Sequence, residues 1–90
     1  MVDLTAVRRR VIQETGWSDH FAQAVEKEYL AFLLADKETE PTSLVEVYWH
    51  MHILDTQSYR EDCQELRGGF IDHIPGSQPG RCRKHIMVVN

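Results

Sequence analysis

The segment Trp49-His50-Met51-His52-Ile53-Leu54-Asp55-Thr56, followed by Tyr59, Asp62 and Cys63, gathers two imidazoles, an indole, a phenol, carboxylates and a thiol within fifteen residues. Imidazole and thiolate together suit zinc and related transition metals, so His52, Cys63 and His73 form one candidate ligand set, with His50 as a fourth. The same residue types also fit a cysteine nucleophile, with Cys63 attacking, His52 or His73 as base and Asp62 as orienter. A third possibility is a satisfied polar core, in which Trp49 and Tyr59 find hydrogen-bond partners, a histidine bonds Asp55 or Asp62, and Cys63 is a small buried hydrophobe. A fourth is a recognition patch built on exposed Trp17, Tyr48 or Trp49.

Helical geometry constrains these options. Residues two apart on a helix are separated by about 200°, so His50 and His52 would face opposite ways, whereas on a strand they would share a face. In one straight helix His52 and Cys63 would also lie roughly 16 Å apart, too far for ligands of a common ion, unless the chain turns sharply near Asp55. Cys82-x-x-His85 is an isolated half-site, and the paired Cys-x-x-Cys elements of zinc ribbons are missing. No nucleophile elbow, phosphate loop or dinucleotide fingerprint is visible, which weighs against an enzyme.

The elements that must position these groups follow from periodicity and caps. Leu4, Val7, Val11 and Ile12 predict a first helix ending at Gly16. Ser18 caps a second, with Asp19 in its first turn and Phe21, Val25, Tyr29, Phe32 and Leu33 as its apolar stripe; Trp17 staples onto it. Lys37 to Thr42, with Pro41, reads as a connection. Leu44 to Leu54 fits both a strand and a helical stripe, while Tyr59, Cys63 and Leu66 share one face of a further helix stopped by Gly68-Gly69. Phe70, Ile71 and Ile74 make an apolar return, residues 75 to 80 a loop, and residues 86 to 89 a short strand or docking segment.

Ninety residues fit one domain with an economical core. Hydrophobic content of 42% with 27% charged residues is ordinary for a globular chain, and no apolar run is long enough to span a bilayer. No secretory signal is visible, so a cytoplasmic location is expected, with Cys63 and Cys82 as free thiols or metal ligands rather than a disulfide. Of the net charge of −4, residues 1 to 80 carry −7 and the last ten +3. This acidic body excludes a generic nucleic-acid binder; the basic tail reads as a solvated terminus, and His20 and His85 as ordinary surface histidines.

The pattern Trp49-His50-x-His52-x-Leu54-x-x-x-x-Tyr59-x-x-Asp62-Cys63, with Gly69 and His73-x-Pro75, resembles the glycine-rich domain-containing protein-like family over residues 41 to 75. That family also carries a domain-of-unknown-function label; its bacterial members are short single domains, and its plant members are larger proteins linked to development and stress. The resemblance implies a helical domain and no known reaction. Similar sequences commonly read Asn-Pro where Asp55-Thr56 stands, which implies a helix break there and two helices, Thr42 to Leu54 and Thr56 to Arg67. The glycine-rich regions of the plant members have no counterpart in this sequence, so nothing tied to them carries over.

The expectation is therefore an all-α domain of about four helices over residues 1 to 75, with an irregular C-terminal segment over 76 to 90. Its function is expected to be non-catalytic binding of a protein partner or scaffolding, without cofactor. Trp49, His50, His52, Asp55, Tyr59, Asp62, Cys63 and His73 form its motif, and the alternative is a zinc-like ion on His52, Cys63 and His73.

Overall fold

In a computed structural model describing residues 2–35, 40–76 and 82–86, the chain forms α1 (Thr5–Thr15), α2 (Asp19–Leu34), α3 (Ser43–Leu54), α4 (Thr56–Arg67), β1 (Ile71–Ile74) and β2 (Arg83–Ile86). Each helix starts where a side chain satisfies its first amides. The Asp3 carboxylate accepts from the Thr5 amide and hydroxyl, Ser18 from the Phe21 amide, Thr42 from the Val45 amide and Asp55 from the Ser58 amide. Trp17 packs edge-on against Phe21, with ring centroids 5.1 Å apart, and fixes the entry into α2. Gly16 and Gly68 end α1 and α4 in the left-handed conformation, at φ 76° and 70°, which side-chain-bearing residues adopt only at a cost.

The helix over Leu44 to Leu54 resolves the ambiguity of that segment. Its corner is Asp55, whose φ of −92° and ψ of 78° break the helical path while its carboxylate caps α4. Helices α2 and α3 form the central pair, each packed against the other and against both α1 and α4. Tyr29, Tyr48, Trp49 and Leu33 of this pair, with Val11 of α1 and Tyr59 of α4, are among the largest fully buried side chains. Glu26 joins three helices: Arg8 of α1 grips its two oxygens at 3.0 and 3.1 Å, and the Tyr48 hydroxyl of α3 donates to it at 2.5 Å. No helix among the described residues is long and apolar enough to cross a membrane.

After α4 the chain makes a short antiparallel pair, β1 on β2, with Ile71 opposite Ile86 and His73 opposite Lys84. Strand alternation turns Ile71, Cys82 and Lys84 toward the helices and leaves Arg83 and His85 exposed. Residues 83 to 86 thus pair with β1, and Cys82 and Lys84 are buried. Lys84, expected on a solvated terminus, is buried. The physical reason is at the end of α2, which has no basic residue in its last turn and no glycine stop. Lys84 Nζ donates to the carbonyls of Phe32 and Ala35 and sits 4.9 Å from the Phe32 ring centre, while Arg67 donates to the Leu34 carbonyl at 3.0 Å. Cations from β2 and α4 thereby satisfy the orphan carbonyls and the negative end of the α2 dipole. Residues 36 to 39, 77 to 81 and 87 to 90, which include most of the expected connection and loop and the segment after Ile86, lie outside the described residues.

Replacing Lys84 by Met keeps the apolar stem but removes the donor from two carbonyls. Lys84→Met should cost roughly 1–3 kcal/mol, lowering the urea midpoint at unchanged m-value; an unmoved midpoint would show that the cap is not needed.

Candidate metal centre

Helix α3 presents two groups of polar side chains on different faces. His52 points into the core and is fully buried, with both ring nitrogens engaged. Nδ1 lies 2.7 Å from the Tyr29 hydroxyl and Nε2 lies 2.8 Å from the Asp62 carboxylate. Burial pushes the Tyr29 phenol far up, so its O–H donates to Nδ1, which leaves the proton of a neutral ring on Nε2, donated to Asp62. Next to this chain runs a second one: Trp49 Nε1 donates to the Tyr59 hydroxyl at 2.9 Å, and Tyr59 donates to the Ile71 carbonyl at 2.5 Å. The His52 and Tyr59 rings meet edge to face at 5.0 Å. Cys63 is fully buried on α4, and burial pushes its thiol up.

This inner network ties α2, α3, α4 and β1 together with its donors paired. It also removes the arrangement that a nucleophilic Cys63 would need. His52 spends its lone pair on Tyr29 and its proton on Asp62, and Cys63 has neither solvent access nor a lowered pKa.

The second group lies on the outer face. Glu46 and His50 stand one turn apart on α3, His73 comes from β1, and Cys82 immediately precedes β2. One ligand atom from each, a carboxylate oxygen, two imidazole nitrogens and a sulfur, fall within 4.8 Å of one another. His50 Nε2 is 2.9 Å from His73 Nε2, Cys82 Sγ is 2.9 Å from Glu46 Oε1, and His50 Nε2 is 3.7 Å from that same oxygen. Glu46 and Cys82 are buried, His73 is half-buried and His50 is exposed. The His73 ring stands edge-on to the Trp49 indole with centroids 4.5 Å apart, so Trp49 touches both groups. Burial and the neighbouring His50 hold His73 below the usual histidine range, which favours the neutral ring that a metal requires.

Of the expected ligand set His52, Cys63 and His73, with His50 as fourth, only His73 and His50 come together here. The break at Asp55 brings His52 to Asp62, but the hydrogen bonds of that ring leave it no free lone pair for an ion. Sequence reasoning missed Glu46, and it weighed Cys82 only as a free thiol or ligand in the isolated half-site Cys82-x-x-His85, not together with His50 and His73. Glu46 was detectable as the i−4 neighbour of His50 once the segment is helical. Cys82 was not, because its position depends on the pairing of β2 with β1. Asp55 serves as the cap of α4.

Comparison with family models, with curated proteins and with solved structures returns no match. The residues themselves carry the functional argument.

Burial holds His52 below its ordinary pKa, against the opposing pull of Asp62. The unfolded chain therefore takes up a proton at this ring before the folded one does. Its contribution to stability is complete above about pH 6.5 and is lost as pH falls from there through the depressed folded value. Imidazole NMR should show His52 titrating below the ordinary range, together with a urea midpoint lower at about pH 5.5 than at about pH 7; a ring titrating at or above about 6.5 would contradict the neutral network.

Proposed function

We propose that this chain is a small transition-metal-binding domain that holds one zinc-class divalent ion through Glu46, His50, His73 and Cys82. The convergence of four donor atoms from three separate segments of the chain within 4.8 Å supports this reading. For bond lengths of about 2.0–2.3 Å, a tetrahedral ion sets its ligands roughly 3.3–3.6 Å apart, so the two pairs at 2.9 Å must open slightly and the widest pairs, up to 4.8 Å apart, must close by roughly 1 Å through side-chain rotation. Two neutral imidazoles, a carboxylate and a thiolate balance a divalent charge. Nitrogen and sulfur donors favour zinc over calcium or magnesium, which take oxygen ligands. Four protein donors fill a tetrahedral shell, so the ion's role is structural rather than catalytic. Coordination requires Cys82 to give up the proton that burial and Glu46 retain on it.

His50 and His73 belong to the Trp-His-x-His…His-x-Pro pattern, and Glu46 and Cys82 do not. Membership of the glycine-rich domain-containing protein-like family is proposed on that pattern alone, as is a binding or scaffolding role for the domain that the ion completes.

The two faces of α3 make opposite predictions. Tag-free protein reconstituted with zinc and freed of excess should carry one ion per chain. Cys82→Ser and His73→Ala should weaken binding by about 100-fold or more, because even outer-shell partners of a metal site are worth roughly 10- to 100-fold. Cys63→Ala and His52→Gln should keep the stoichiometry while lowering the unfolding midpoint. No bound zinc, or zinc lost with His52 and Cys63 rather than with His73 and Cys82, would contradict the assignment.

A further inference from the structure

The four donors are divided between two parts of the molecule. Glu46 and His50 belong to the helical body, whereas His73 and Cys82 belong to the β1–β2 hairpin, one on each strand side. We infer that the ion is a latch: its occupancy controls whether the hairpin is docked on α3, while the four helices remain folded in either state. This rests on the metal-binding reading proposed above.

An ion would add to what holds the hairpin on the helices. Its strands have four residues each, and an isolated two-stranded pair of that length is not stable in water. At the Ile71 end it is held by the burial of that side chain and by the Tyr59 hydroxyl on the Ile71 carbonyl, and from β2 Lys84 donates to the Phe32 and Ala35 carbonyls of α2. At the other end, where His73 and Ile74 pair with Lys84 and Arg83, the metal donors converge on α3. One ion there joins both strands to the helix. The helical body, by contrast, has its own core and its own crosslinks, Arg8–Glu26–Tyr48 and Tyr29–His52–Asp62, none of which uses a donor residue. Release of the hairpin would uncover Trp49, which is fully buried and stands against the His73 ring. An ion at this site therefore regulates exposure of an aromatic face.

Hydrogen exchange on the full chain tests this, with zinc stoichiometry measured on the same samples by native mass spectrometry. With free zinc at about 100 times Kd, the amides of residues 71 to 74 and 83 to 86 should be protected roughly 100-fold or more, and chelation should return them to near-intrinsic exchange. The α2 amides from Val25 to Leu33 should stay protected in both states. One zinc bound with no change at the hairpin would overturn the latch and leave the metal site standing. Loss of α2 protection on chelation would overturn it in favour of metal-dependent folding of the whole domain. Absence of bound zinc would overturn both readings.

Discussion

Successive even-numbered residues on a helix point about 200° apart, and in α3 this rotation sends His50 to the surface and His52 into the core. Two chemistries that look like one cluster in the linear sequence are thereby separated by the width of a helix. Trp49 lies between them, with its indole N–H donating to Tyr59 in the inner network and its ring against His73 of the outer one. The placement of α3 therefore fixes both sites, and α3 is in turn fixed by the Thr42 cap at its start and the Asp55 corner at its end.

The inner network reflects a small domain's need to spend its few buried positions on more than one task. Tyr29, His52, Tyr59 and Trp49 supply apolar area and also carry polar atoms that must be paired. Their hydrogen bonds run across α2, α3, α4 and β1, so the same residues that fill the core fix the angles between these elements. A buried polar chain of this kind is stable only when complete, since removing one member strands the others without water to replace it. Lys84 extends the pattern to the end of α2, where a charge from a distant strand does the work of a local helix cap.

What could be read from the sequence is what depends on short-range chemistry. The cap at Ser18, the glycine stops at Gly16 and Gly68 and the apolar stripe of α2 each sit within a few residues of the structure they determine. They mark α1, α2 and the end of α4. The ambiguous segment before Leu54 needed more than periodicity, because a helix buried on much of its surface loses the polar face that distinguishes it from a strand. The outer donor set was hidden for a different reason. Its members are separated by as many as 36 residues, and they meet only because β2 pairs with β1 in one register; a shift by one residue would turn Cys82 away and Arg83 inward. The buried role of Lys84 depends on that same register.

A mixed shell of one sulfur, two imidazoles and one carboxylate is the specific content of the account, and it differs from the shell that Cys63 and His52 would provide chiefly in its oxygen and in the identity of its sulfur. X-ray absorption spectroscopy of the zinc-loaded protein, with Cys63→Ala and Cys82→Ser as paired controls, reads that shell directly. The zinc-loaded protein should show one sulfur at about 2.3 Å with three nitrogen or oxygen ligands at about 2.0–2.2 Å, two of them with imidazole scattering, and a sulfur signal that survives Cys63→Ala and disappears in Cys82→Ser. A sulfur that vanishes with Cys63, or a shell with no sulfur at all, would contradict this coordination.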